Sequence, residues 1–182
     1  MTGKFSHRLA TESDLEALRA IMALSIVTLQ KGFLTEQQIA ASTSVMGLDT
    51  QLIKDGTYYI IHSNDHIAGC GGWSFRNTLY GGDHSLDLRN PDILNPATDA
   101  ARIRAMYTHP DFARQGVGRL IIDLCETAAR EAGFSHAEMM ATLSGEPLYR
   151  SCGYIPVENI IANGTDGTEV PLVRMRKKLD EA

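Results

Sequence analysis

Two glycines, Gly116 and Gly118, sit at the centre of the stretch Y-T-H-P-D-F-A-R-Q-G-V-G-R-L-I (residues 107–121), with His109, Arg114, Gln115 and Arg119 around them. These residue types suit a diphosphate. Glycine lets the main chain approach an anion without a Cβ in the way, and the first N–H groups of a helix lack internal partners and sit at its positive dipole end. A G-x-G pair alone is a weak signal, because many strand-to-helix turns carry one and bind nothing. The dinucleotide fingerprint needs a third glycine where Ile121 stands, and a Walker loop needs Lys-Ser/Thr where the chain has Arg119-Leu120. Both of those readings are disfavoured.

The elements that must position this turn follow from composition and periodicity. With 182 residues, 43% of them hydrophobic, the chain suits one domain with its own core. A net charge of -5, from 17 Lys+Arg against 22 Asp+Glu, argues against nucleic acid as the main partner. Cys70, Cys125 and Cys152 show no C-x-x-C or Cys/His ligand spacing, which predicts reduced thiols, no metal and a cytoplasmic protein. The N-terminal residues lack a signal-type apolar stretch and no apolar run is long enough to span a bilayer, so neither export nor a membrane partner is expected.

Thr11 and Ser13 offer N-caps, and Ser13-x-x-Glu16 has capping-box spacing, which predicts a helix that ends near Gly32; Thr35-x-x-Gln38 predicts a second, running towards Met46. The run T-Y-Y-I-I-H from Thr57, a turn at Ser63-Asn64-Asp65 and the run H-I-A-G-C-G-G-W-S-F predict a β-hairpin. Residues 76–99, with Gly81-Gly82-Asp83, Asn90-Pro91 and Asn95-Pro96, predict a long loop of the kind that is usually functional or mobile. A short β-prone segment at 5–9 precedes these elements. A strand over 101–109, a helix over 117–132, a strand over 135–141, a short helix over 146–152 and strands near 154–161 and 168–176 follow them.

The resulting order βααβββαβαββ, the segment T-H-P-D-F-A-R-Q-G-V-G-R-L and the later E-P-L-Y-R-S-C-G-Y resemble the GNAT superfamily of acetyl-CoA-dependent N-acetyltransferases. The resemblance covers nearly the whole chain, and its two motifs stand in the family's order and separation. It implies one GNAT domain over 1–182 with an α/β (α+β) fold: a central mixed, mostly antiparallel sheet with two splayed strands, flanked by helices. The stretch G-G-W-S-F-R-N-T-L-Y-G-G-D looks like a bacterial subgroup of the family and supplies no substrate.

By that resemblance the main chain of Met106, Tyr107 and Thr108 would hold the pantetheine arm of acetyl-CoA, with the Met106 N–H as oxyanion donor. Arg114, Gln115, Gly116, Val117, Gly118 and Arg119 would wrap the diphosphate. Thr142 stands where many relatives have a cofactor-contacting Asn, and a hydroxyl replaces only part of an amide's bonding. Tyr149 stands at the family's Tyr position; a phenol with a reference pKa near ~10 is protonated at neutral pH and can donate to a departing thiolate. Its structural alternative is a helix aromatic packed on the core.

The chain also departs from the family pattern. Ala113 replaces an Arg or Gln of the turn, and Ala137 stands where some members carry a base Glu. Glu138, the most strand-like nearby carboxylate, is therefore the base candidate; His109, Asp83, His84, Glu146 and a water chain stay open beside it. Trp73, Arg76, Tyr80 and Asp83 are the acceptor-binding candidates, with loop anchoring as their structural alternative. Asp83 in the pocket would favour a cationic amine, and Arg76 there a carboxylate-bearing acceptor. The implied function is acetyl transfer from acetyl-CoA to a primary amine of a small molecule or peptide, by direct attack through a tetrahedral intermediate. The alternatives are an acetyl-CoA-binding module without catalysis and a different acyl donor such as succinyl-CoA. Many members of the family pair as homodimers, and the resemblance carries that expectation over.

Overall fold

Residues 4–179 are described in the computed structural model. Its strands are β1 (Ser6–Leu9), β2 (Tyr58–Ser63), β3 (His66–Ser74), β4 (Ala101–Thr108), β5 (His136–Thr142), β6 (Ile155–Asn163) and β7 (Glu169–Lys178). The helices are α1 (Leu15–Leu29), α2 (Glu36–Val45), α3 (Thr50–Lys54), α4 (Val117–Glu131) and α5 (Glu146–Ser151). Together the strands form one sheet in the order β1-β2-β3-β4-β5-β7-β6, antiparallel at every junction except β4–β5, which is parallel. This is the mixed, mostly antiparallel sheet flanked by helices that the sequence implies.

Alternation along β3 assigns the helices to faces. Cys70 joins the cluster containing Leu18, Ile21 and Met22 of α1, whereas its neighbours Gly69 and Gly71 meet Val117 and Ile121 of α4. Successive residues of a strand point to opposite faces, so α1 and α4 cover opposite sides of the sheet. On the α4 side, Ile121, Ile122 and Cys125 pack on Ala137, Met139 and Met175. α2 rests on β6 and β7 through Ala41, Val45, Ala162 and Val170.

Local signals act largely where the sequence places them, with two differences. The Thr35 hydroxyl accepts from the Gln38 N–H at 3.2 Å and opens α2 as expected. Before α1 the capping box is formed by Thr11, the other N-cap candidate, with Asp14, two residues earlier than Ser13 and Glu16, and Arg8 also grips Asp14 at 2.7 Å. Helix α3 was not expected; its five residues are too few for a periodic pattern, and it starts where the Asp49 carboxylate accepts from the Gln51 N–H at 3.0 Å.

The feature that makes a site is the parting of β4 from β5. Only Ala101 with Ala137 and Arg102 with Glu138 stand in register, after which the strands separate. On its other side β4 bulges: its register with β3 passes from Tyr107–Cys70 to Arg104–Gly72, and Ala105 adopts a left-handed φ of 49°. No helix among the described residues is long and apolar enough to cross a membrane.

Candidate active site

Between the parted strands lies a cavity of about 80 Å³, walled by Met106 and Tyr107 of β4, by Met139 and Thr142 of β5, and by the loop residues Leu79 and Tyr80. Tyr149 of α5 also lines it. The splay frees main-chain groups of β4 that a neighbouring strand would otherwise take, so an extended ligand can pair there as a strand does.

The turn before α4 has the geometry of an anion cradle. Arg114 and Gly116 both have left-handed φ, 64° and 94°, which curls successive N–H groups of the turn towards one side. The first helical bond runs from the Leu120 N–H to the Gly116 carbonyl at 3.0 Å, so the N–H groups of Val117, Gly118 and Arg119 have no intrahelical acceptor. A Cβ at Gly116 would meet no atom within 4 Å, so the turn is open on that side. Side chains contribute less than the sequence implies. Gln115 donates to the Asp111 carbonyl at 2.8 Å and also pairs with Lys4, while Arg119 donates to the Ser151 hydroxyl at 3.0 Å. Arg114 is exposed.

Helix α5 is seated on this turn through Gly118, where a Cβ would lie 2.5 Å from Leu148 Cδ2. That contact brings Tyr149, the next residue, to the cavity. Its ring meets Tyr154 edge-on, with centroids 6.4 Å apart, and its hydroxyl makes no hydrogen bond among the described residues. Burial pushes the Tyr149 phenol up to about 12, and the neighbouring Cys152 thiol adds to the shift. Such a phenol keeps its proton at neutral pH. The Thr142 hydroxyl accepts from the Gly145 N–H at 3.1 Å, so part of its capacity serves the turn into α5.

Glu138 does not stand free as a base should. It is buried, and its oxygens are taken by Arg102 at 2.7 Å, Arg174 at 3.0 Å and Arg176 at 3.4 Å. It is also absent from the cavity wall. The other base candidates lie outside that wall as well. His109 accepts from the Asp111 N–H at 3.2 Å, Glu146 pairs with Arg150 at 2.7 Å, and the His84 ring bonds the Ser44 carbonyl at 2.8 Å.

Of the four acceptor candidates the cavity brings in Tyr80 alone. Trp73 is buried in the core against Phe134, with ring centroids 6.1 Å apart. Arg76 turns away to Asp55 at 2.7 Å. Asp83 accepts from the Thr50 N–H at 3.0 Å and from Arg89 at 2.8 Å, which anchors the loop. Two residues missed in the sequence belong to the site. Arg104 is a buried cation that lines the cavity, and Tyr58 bonds the β4 bulge. An Arg in the run A-R-I-R-A-M-Y was the available signal for the first; nothing local marks the second.

Comparison with known proteins agrees with this geometry. The chain has 18% identity and a TM-score of 0.72 to a GCN5-related N-acetyltransferase structure from Rhodopseudomonas palustris, over 98% of each chain. With PaiA N-acetyltransferase from Thermoplasma acidophilum, solved in complex with coenzyme A, the TM-score is 0.64 at 13% identity, covering 97% of this chain and 99% of the other. With the acetyltransferase YncA from Salmonella typhimurium, solved with acetyl-CoA, it is 0.61 at 16% identity, covering 99% and 96%. No functionally curated protein matches the sequence. Residues 54–156, which hold the bulged strand, the turn before α4 and Tyr149, match the acetyltransferase (GNAT) domain. A match over more than half of the chain, joined to the parted β4 and β5, places this protein in the GNAT acetyltransferase family.

Proposed function

We propose that the protein transfers an acetyl group from acetyl-CoA to a primary amine of a small molecule or peptide. The observation that carries this reading is the pairing of two features joined by one contact: a turn over Arg114 to Arg119 with free N–H groups, and, across the Gly118–Leu148 contact, a cavity lined by Tyr149 and Met106. The cradle fits a diphosphate through its N–H groups and open Gly116, and the freed edge of β4 fits the amides of a pantetheine arm.

In the reaction the amine nitrogen bonds to the thioester carbonyl carbon and the C–S bond then breaks. The Met106 N–H takes the developing oxyanion, and an oriented donor of that kind contributes by being in position before charge forms. The Tyr149 phenol gives its proton to the departing thiolate and regains one from solvent. No carboxylate is among the residues lining the cavity, so the proton lost by the amine leaves through water.

That same lack of a carboxylate favours a second reading, an acetyl-CoA-binding module without turnover. Thermal melting with and without acetyl-CoA, followed by thiol release against pooled amines, separates the two. Saturation at a hundredfold the dissociation constant adds roughly 2.7 kcal/mol of stability. Stabilisation with thiol release supports the transferase. Stabilisation without release in any pool supports the module, and no stabilisation refutes both.

A further inference from the structure

Arg104 is the one charged residue among those lining the cavity between β4 and β5. A second cavity of about 30 Å³ is lined by Asp49, Ser74, Thr78 and Arg89 among others, and Arg104 lines that cavity too. Its guanidinium bonds residues of both walls. On one side Nη2 donates to the Gly81 carbonyl at 2.9 Å, and Gly81 belongs to the wall of the larger cavity. On the other, Nη2 donates to Asp49 Oδ2 at 3.1 Å and Nη1 to the Thr78 carbonyl at 3.0 Å.

The bonding of this group is incomplete. A guanidinium has five N–H donors, and these three bonds leave the Nε–H and one Nη1–H with no acceptor among the described residues. The side chain is only 2% exposed, yet its Nε is not among the fully buried nitrogens that lack a partner, so the spare donors border a little open space. Its sole carboxylate, Asp49, is shared with Arg89 at 3.1 Å and also caps the Gln51 N–H. A buried cation with spare donors and half a counterion holds a place for an anion.

The rest of the wall limits what that anion can be. Met46, Leu79, Met140 and Leu172 supply apolar surface beside its polar groups, and no carboxylate is among the lining residues to receive a second ammonium group of a polyamine. Arg104 and Met106 flank the bulge residue Ala105 and both line the cavity, which suits a short molecule spanning both.

We propose that Arg104 selects the acceptor, and that the acceptor is a small amino acid whose carboxylate takes the spare donors of Arg104 while its amine faces Met106 and Tyr149. The proposal rests on the acetyltransferase reading and names its substrate class.

The test compares free amino acids with their own carboxamides as acceptors, with acetyl-CoA as donor and thiol release as readout. The carboxamide's amine is the less basic of the two, which by itself favours the amide, so a preference for the acid reports recognition. Expected is a kcat/KM at least tenfold higher for the acid, with most of the difference in KM. In Arg104→Gln the ratio falls towards one; circular dichroism and the acetyl-CoA melting shift establish that this variant is folded. A second measurement does not need turnover: binding of N-acetyl amino acids and of N-acetyl carboxamides to the wild-type protein with coenzyme A, by calorimetry. Preferential binding of the acid without turnover sustains the role of Arg104 while refuting the transferase reading. Equal kcat/KM for acid and amide, or absence of turnover together with equal or absent binding of the two products, overturns the proposal.

Discussion

The hydroxyl of Tyr58, buried on β2, donates a 2.7 Å hydrogen bond to the carbonyl of Ala105, the left-handed residue of the β4 bulge. In a trans peptide the carbonyl and the next N–H point in opposite directions. Tyr58 draws the Ala105 carbonyl towards the α1 side of the sheet, and the Met106 N–H of the same peptide therefore points away from that side. Ala105 has a Cβ, and holding it at positive φ costs about 1–2 kcal/mol. The bond from Tyr58 offsets part of that cost.

Removing that bond separates its structural and positioning effects. Tyr58→Phe leaves a buried carbonyl without its donor, and we expect a loss of about 1–3 kcal/mol in stability. Well below the melting temperature, kcat falls at least tenfold while the KM for acetyl-CoA stays within about twofold, since an oriented donor acts on the transition state. An unchanged kcat in the folded variant would show that Met106 is held by other contacts.

For Tyr149→Phe the expectation is a fall in kcat of about 10²-fold, within the usual range for loss of a general acid. Stability changes little, because the hydroxyl makes no hydrogen bond among the described residues while the ring contact with Tyr154 is kept. Steady-state kinetics and melting curves on the same preparation check both halves. A variant of wild-type kcat would return Tyr149 to a packing role.

The elements that rest on local chemistry were legible in the sequence, and those that rest on register were not. Thr35 with Gln38 marks the start of α2, Ser63-Asn64-Asp65 turns the hairpin and Gly116 opens α4, each within a few residues of chain. The left-handed Gly116 of the turn before α4 is equally local, whereas the left-handed φ of Arg114, a residue with a Cβ, has no signal in the sequence. Tyr58 and Ala105 meet only because β2, β3 and β4 align, and no pattern within either segment announces it. The loop after β3 shows the converse. Arg76 and Asp83 have the chemistry of substrate ligands, yet partners remote in sequence, Asp55 and Thr50, decide where they point.

Glu138 is structural, and a substitution can distinguish that role from a base. Glu138→Gln leaves Arg102, whose side chain is 12% exposed, beside two other guanidiniums without their shared counterion. The expected cost is about 3 kcal/mol, at the low end for a broken buried pair because Arg174 and Arg176 reach solvent. In a domain of this size that lowers the melting temperature by about 6–12 °C. At a temperature where the variant is folded, kcat stays within about threefold of wild type, whereas loss of a general base costs about 10²–10⁴-fold.

Gly118→Ala should act on two functions through one contact. The added methyl would lie 2.5 Å from Leu148 Cδ2, so the Leu148 side chain must turn away, which alters the packing beside Tyr149. Acetyl-CoA affinity and kcat are both expected to fall, in contrast to Tyr149→Phe, where only kcat does. Adding Leu148→Ala makes room for the methyl and should restore much of the kcat lost in Gly118→Ala. A double variant no better than the single one would show that the methyl blocks the cofactor directly.

Alkaline pH should weaken the fold before it titrates the proposed acid. Burial raises Tyr149 from 10.0 to about 12 and Cys70 from 9.0 to about 12, and also raises Tyr58, Tyr107, Cys125 and Tyr154. Between pH 9 and 12 the unfolded chain releases these protons while the folded protein keeps them, so the folded state binds more protons and stability falls as pH rises. The contribution is fully present below about pH 9 and is lost through about pH 12. The acid limb has the opposite sign. Asp14 and Asp55, lowered chiefly by their hydrogen bonds from Arg8 and Arg76, add stability above the ordinary carboxylate range that is lost as pH falls through it. Melting temperature should therefore be level near neutrality and decline above about pH 9. Over the stable range kcat should climb with pH as the amine loses its proton, with no descending limb from Tyr149. A descending limb near pH 8 while the melting temperature is still level would mean that the proton donor is another group.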